Sequence, residues 1–381
     1  MFETNLEPWE KLPDNYKTLA PLIMSICFPP LKDKPEIGKY YRLYPDGCIS
    51  GNGTKYHGNI RIGKEPEKLL IYLNGGGVAF DGHSAARPNN FFTLHQKETY
   101  YSNDGEWIGD YFLREGMNAQ REDNPFLDWS AIQILYCTGD FHCGDGECSY
   151  TAQDGTPRMM PCYGYRNAMA VIDLAKQYLP APKQILIAGS SAGGFGVSLL
   201  AEDMIRKFPD CPNVTCCVDS SLILNPCWHD IAKDFWHAPK HIVERLSSGN
   251  LVTDCLKALH KKYGNAVRIL FMSSIRDAML PAMENAMMGK DLASDKASGD
   301  RYQKELKAMC RELMDAIPDL GLFIFTAPMD AKGWDETLTL HCALNNYFFF
   351  ERGTNGQSVC EWLMNAVNGK TEQLGLNLLD T

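Results

Sequence analysis

The residues of this chain best placed to do nucleophilic chemistry lie in Gly189-Ser190-Ser191-Ala192-Gly193, a Gly-x-Ser-x-Gly motif. The apolar run Ile185-Leu186-Ile187-Ala188 precedes it, and a segment of helical periodicity through Val197, Leu200 and Met204 follows. Strand, motif and helix in that order make a nucleophile elbow. Small residues flank a turn so sharp that the Ser Oγ stands above the sheet, with the next N–H free at the helix N-terminus. The motif alone is weak, because at average Gly and Ser usage roughly one chain in eight of this length carries it by chance. A glycine-rich strand-to-helix turn can equally bind a phosphate. The decision rests on whether the other parts of a hydrolase follow in chain order.

Acyl transfer needs a nucleophile, a base, an acid that orients the base, and donors for the oxyanion. Ser191 is the candidate nucleophile, with Ser190 a support or pocket residue beside it. The strand expected at 214–218 ends at Asp219, and the one at 267–272 leads to Asp277. In the order Ser, Asp/Glu, His the acid usually follows the second strand after the elbow. That selects Asp277, and leaves Asp219 to cap or brace the adjacent loop. Asp330 and Asp335 share the loop of the base and are weaker rivals. An Asp at a strand end is also a common helix N-cap.

Of nine histidines, His341 alone follows Asp277, behind the strand expected at 322–325. A lone His is most often structural, but this position in the Ser, Asp, His order makes His341 the base. His142 precedes Ser191 and reads as pocket-lining, with Asn74, Val78, Asp140 and Ser190 as further pocket candidates. Gly75-Gly76-Gly77 follow the apolar strand at 68–73. Together with the Ala192 N–H, this glycine loop is the source expected for the oxyanion donors. A tight turn or a phosphate loop is the competing reading, but the Gly-Lys-Ser/Thr of a Walker loop is absent.

The elements that must position these groups are strands alternating with helices, which imply a mostly parallel sheet covered on both faces. Strands are expected near 68–73, 131–136, 185–188, 214–218, 267–272 and 322–325, with a helix at 163–178. Residues 1–40 read as a leader of short helix and turn. Residues 225–263, with Trp228, Phe235 and Trp236, fall where lids insert, and the tryptophans could stack on a sugar ring or pack under the lid. No repeat or linker divides the 381 residues, so one α/β domain is expected.

Apolar content of 45% against 22% charged suits a globular chain with a sizeable core. The formal net charge of −10 argues against nucleic acid or an anionic membrane as partner. No window reaches the ~18 uninterrupted apolar residues of a membrane span. The N-terminal residues are acidic and lack the apolar run of a signal peptide, so a cytoplasmic location is expected. With no export signal, the fourteen cysteines read as reduced thiols. Cys216 and Cys217 are expected to be buried on opposite faces of a strand. His142, Cys143 and Cys148 lack a fourth ligand, so no metal and no cofactor are expected.

The residues further resemble the pectin acetylesterase family, which also contains the Notum-type carboxylesterases. The resemblance rests on Gly75-Gly76-Gly77, on Asn124 to Trp129, on Tyr136-Cys137-Thr138-Gly139-Asp140-Phe141-His142 and on Gly164-Tyr165-Arg166-Asn167. It continues through Gly189 to Gly194, Val218-Asp219-Ser220, Asp277, and His341 followed by Gly356 and Trp362, spanning about residues 45–365. It implies an α/β-hydrolase-like fold, a triad of Ser191, Asp277 and His341, and an oxyanion hole of the Gly76, Gly77 and Ala192 N–H groups. It also makes Cys137 to Asp140 a rigid loop beside the pocket. Many members carry an aromatic residue and a Cys after the glycines, where this chain has Val78-Ala79-Phe80. The implied activity is ester hydrolysis, with an O-acetylated saccharide or small-molecule ester as substrate. A fatty-acyl esterase of the Notum type is the alternative within enzymes. A non-catalytic binding protein would predict a broken triad, and all three positions are intact.

Overall fold

A computed structural model describes residues 27–90, 93, 96–105, 110, 114–329, 335–353 and 355–380. Residues 1–26 of the expected leader, and Asp330, lie outside the described residues.

The apolar runs form strands where expected, displaced by one to three residues at their ends. They are β1 (Tyr40–Leu43), β2 (Gly58–Arg61), β3 (Glu65–Leu73) and β4 (Trp129–Ile134). An antiparallel hairpin, β5 (Gly146–Thr151) and β6 (Pro157–Cys162), stands outside the main sheet. The series continues with β7 (Gln184–Ser190), β8 (Val214–Asp219), β9 (Val267–Ser274), β10 (Gly321–Phe325) and β11 (Gln373–Leu374). The nine-stranded sheet has the order β1-β2-β4-β3-β7-β8-β9-β10-β11. Only β2 runs against its neighbours; every other pairing is parallel.

A parallel strand buried on both faces must be apolar throughout, and β7, β8 and β10 are buried at every residue. Cys216 and Cys217 are both fully buried within β8. The crossover helices α1 (Gly164–Ala175), α2 (Ala192–Lys207), α3 (Leu251–Tyr263) and α5 (Lys296–Ala316) pack side by side on the sheet. The short α4 (Leu280–Met287) joins β9 to α5. The last helix, α6 (Val359–Val367), lies against β8 and β10 through Trp362, whose ring meets Phe323 at 5.4 Å. This is the expected α/β-hydrolase-like sheet with helices on both faces. No helix among the described residues is long and apolar enough to cross a membrane.

The segment at 225–263 does not present its tryptophans to a ligand. Trp228 and Trp236 are fully buried with Phe141 and Phe195, which stack at 4.2 Å. The Trp236 indole N–H donates to the Ala79 carbonyl at 2.7 Å. A buried Trp needs a partner for that N–H, and Ala79 supplies it. The sugar-stacking reading is therefore corrected. The rest of the segment, α3, packs on α2, α5 and β9 as part of the helical layer.

Candidate active site

Register brings the site together at the C-terminal ends of the central strands, where ligand crevices form in open α/β sheets. Leu73 lies beside Gly189, Ser190 beside Asp219, and Asp219 beside Met272. The loops leaving β3, β7, β8 and β9 therefore start level with one another.

At the end of β7 the chain turns through Ser191 with φ 57 and ψ −127, a conformation that costs a residue with a Cβ on the order of 1–3 kcal/mol. The turn is tight because Gly189 packs against the backbone of Gly193 and Gly193 against the carbonyl of Leu73, leaving no room for a Cβ at either. The Ser191 N–H donates to the Asp219 carbonyl at 2.9 Å, and the Ser191 carbonyl accepts from Gly194 N–H, Phe195 N–H and the Ser221 hydroxyl. Its hydroxyl makes no capping bond to α2, and the residue is partly exposed.

The candidate acid and base, Asp277 and His341, come from loops joined by a short extension of the sheet. Thr339 pairs with Asp277 in a parallel bridge; its N–H donates to Arg276 O and its carbonyl accepts from Ala278 N–H. Two residues on, His341 Nδ1 lies 2.7 Å from Asp277 Oδ2. Asp277 is fully buried, and its Oδ1 accepts from the N–H groups of Met279 and Leu280, so both carboxylate oxygens are fixed. Because a carboxylate only accepts, Nδ1 carries the proton. The next residue, Cys342, donates its N–H to Ser220 Oγ at 3.1 Å, next to the Asp219 carbonyl that accepts from Ser191 N–H. Burial pulls the His341 imidazole down, but Asp277 by charge and hydrogen bond, with the charge of Asp219 added, leaves it above its ordinary 6.5.

Asp219, the rival acid, points elsewhere. Its Oδ2 accepts from the Ser190 hydroxyl at 3.0 Å and from Ala343 N–H and Leu344 N–H, both at 2.9 Å; Oδ1 accepts from the Ser220 hydroxyl at 3.0 Å. Asp335 sits at the exposed start of α5, accepting from Lys296 N–H and Thr337 N–H.

Within the glycine loop, Gly75 lies nearest Ser191. A Cβ there would fall 2.6 Å from Ser191 Cβ and 3.2 Å from Ala192 N. Gly76 lies against Tyr136 and Ser102, and Gly77 adopts φ +78 under the Tyr100 carbonyl. Among the described residues, the N–H groups of Gly76, Gly77 and Ala192 donate to no protein acceptor.

The other expected pocket residues support the site from below. Val78, Asp140, His142 and Ser190 are all buried, at 1% exposure or less. His142 Nε2 donates to the Asn74 carbonyl at 2.9 Å, and burial pushes its pKa down to about 4, so it is neutral. Asn74 Oδ1 accepts from Tyr136 N–H at 2.6 Å. Asp140 Oδ1 accepts from the Thr138 hydroxyl and His142 N–H, and Oδ2 from Gly164 N–H; burial, opposed by these bonds, raises it to about 6. Ser190 Oγ lies 3.0 Å from the Tyr72 hydroxyl as well as from Asp219. The polar atoms of Asn74, Asp140, His142 and Ser190 are thus committed to neighbouring loops, and Val78 is buried beside them. Of the described non-glycine residues with positive φ, Phe141, His142, Ser191, Ser220 and Cys342 gather in these loops, as strain does at functional sites.

An elbow serine, a fixed Asp–His pair and a glycine loop on this sheet define an α/β-hydrolase type of protein. A family model described as Pectinacetylesterase matches residues 46–263, more than half of the chain, and the chain belongs to that family. The matched stretch holds the glycine loop and Ser191, and ends before Asp277 and His341. Pectin acetylesterase 11 of Arabidopsis thaliana is 24% identical over 181 residues, 47% of this chain and 43% of that protein. The palmitoleoyl-protein carboxylesterase NOTUM of Schmidtea mediterranea is 24% identical over 163 residues, 42% of this chain and 28% of that one. The chain thus spans less than half the length of the curated relatives it matches. In fold it is similar to the Wnt deacylase Notum from Drosophila, with a TM-score of 0.59 at 16% identity, covering 87% of this chain and 95% of that one. Pectin acetylesterases and Notum proteins are secreted, extracellular enzymes, which overturns the expected cytoplasmic location. That expectation rested on a few N-terminal residues, and they do not outweigh membership of the family.

Proposed function

We propose that the chain is a serine carboxylic ester hydrolase that removes O-acetyl groups from a saccharide through an acyl-enzyme on Ser191. The observation that carries this reading is the 2.7 Å contact between His341 Nδ1 and the buried Asp277 carboxylate, on a loop that Asp219 ties to Ser190, the residue before Ser191. In the proposed mechanism Ser191 Oγ attacks the acyl carbon and its proton passes to His341 Nε2. Asp277 holds the tautomer that leaves Nε2 free and stabilises the imidazolium. The oxyanion is received by the N–H groups of Gly76, Gly77 and Ala192. The C–O bond to the sugar then breaks and His341 returns the proton to the leaving oxygen. Water repeats the sequence and releases acetate.

The acetyl preference derives from the family and from the pectin acetylesterases this chain is similar to. A p-nitrophenyl ester series from acetate to palmitate tests it. kcat/KM is expected to fall steeply beyond acetate, and an optimum at long chains would favour a fatty-acyl substrate instead. The proton inventory gives a second prediction. Only neutral His341 can accept the Ser191 proton, and its pKa is held above 6.5. The kcat/KM for p-nitrophenyl acetate should therefore rise with pH through one ionisation above 6.5. A plateau reaching down to pH 5 would remove His341 from the base role.

A further inference from the structure

The loops carrying the nucleophile and the base meet on one carboxylate that the proposed reaction does not consume. Asp219 is fully buried at the end of β8. From the nucleophile side, Tyr72 OH and Ser190 Oγ form a chain that ends on Asp219 Oδ2, each link 3.0 Å long. Reaching in from the base loop, the N–H groups of Ala343 and Leu344 donate to the same oxygen at 2.9 Å. Cys342 N–H donates to Ser220 Oγ at 3.1 Å, and Ser220 Oγ donates to Asp219 Oδ1 at 3.0 Å. Burial raises the pKa of this carboxylate, and every group arranged on it is a donor that opposes the rise.

We propose that Asp219 is a positioning residue of the active site, fixing the His341 loop against the Ser191 elbow. The inference rests on the assignment of Ser191 and His341 above. Two features distinguish this role from ordinary loop bracing. The bonds join the residue before the nucleophile to the first three residues after the base, so slack in them changes the separation of the two reacting groups. The carboxylate is also one of two charges that favour protonated His341, the other being Asp277. The remaining titratable groups around Asp219 are Tyr72 on β3, Cys217 on β8 and Cys342 on the base loop. Burial raises the pKa of all three, so they stay neutral in the working range.

The test is the pH profile of Asp219→Asn on p-nitrophenyl acetate, run beside Ser191→Ala. Loss of the charge destabilises the imidazolium, so the acid limb of kcat/KM should move to lower pH. kcat should fall roughly tenfold or more with KM within about twofold, because a displaced reacting group costs turnover rather than binding. An unmoved acid limb with wild-type kcat would overturn the inference. A lower kcat with an unmoved limb would also overturn it, reducing Asp219 to a structural brace. Should Asp219→Asn fail to fold, Ser220→Ala keeps the charge and removes the bridge from Cys342. It is expected to lower kcat several-fold at constant KM, and unchanged kcat would count against the proposal. If Ser191→Ala itself retained activity, the function assignment would fail instead, and the two failures are thereby separated.

Discussion

Ser191→Ala is expected to abolish ester hydrolysis, with kcat on p-nitrophenyl acetate falling on the order of 10³–10⁶-fold. The size follows from the chemistry. Without the hydroxyl no acyl-enzyme forms, and the oxyanion donors and bound substrate supply only the residual catalysis that a triad site retains. The fold should be indifferent to the change. The Ser191 hydroxyl makes no capping bond to the following helix, and the backbone bonds of the elbow run through Ser191 N–H and carbonyl. Circular dichroism and the urea midpoint should match wild type. Ser191→Gly provides a second arm. It should be as inactive as Ala but more stable by about 1 kcal/mol, because glycine relieves the φ 57 conformation. Activity retained by either variant would take the nucleophile role from Ser191, and an unfolded Ala variant would show that the hydroxyl is structural.

The parts of this site that were legible in sequence are those set by local chemistry. The runs ending at Leu73, Ser190, Asp219 and Ser274 are apolar because both faces of the strands are covered, and that pattern survives without knowledge of the partners. The elbow is legible because its backbone leaves no room for a Cβ at Gly189 or Gly193. Chain order separates Asp277 from Asp219, and in the fold the former contacts His341 and the latter Ser190.

What sequence left hidden depends on long-range pairing. Asp140, His142 and Ser190 are polar and near the motif, which suggests a solvated pocket. They are instead buried, and their partners lie up to 118 residues away, as for Ser190 and Tyr72. Trp228 and Trp236 gave the same signal for a sugar platform as for a core. Only the contact of Trp236 with Ala79, 157 residues distant, separates the two. The β5–β6 hairpin escaped because its exposed residues interrupt any apolar alternation, although Asp154-Gly155 at its tip is a turn signal. Local sequence cannot rank the three glycines of Gly75-Gly76-Gly77. The approach of β3 to β7 ranks them, by bringing Gly75 onto Ser191.

Replacing Asp277 by Asn is expected to lower kcat by ~10³–10⁴-fold, far more than Asp219→Asn. Asp277 Oδ2 is the group that faces His341 Nδ1, at 2.7 Å, and Oδ1 is held by Met279 N–H and Leu280 N–H. Those two donors demand that the acceptor oxygen of an Asn stay on their side, which turns the Asn amide –NH2 toward His341. The imidazole must then present an unprotonated Nδ1 to that donor and carry its proton on Nε2, where it cannot accept the Ser191 proton. The loss comes from the wrong tautomer, so KM should change little and the elbow should be undisturbed. Asp219→Asn leaves the Asp277–His341 contact in place, loosens the link between the two loops and removes the weaker of the two charges that favour protonated His341. The ranking of the two variants therefore reads out which carboxylate orients the base. Asp219→Asn costing more than Asp277→Asn would reassign the acid to β8 and leave Asp277 as the cap of α4.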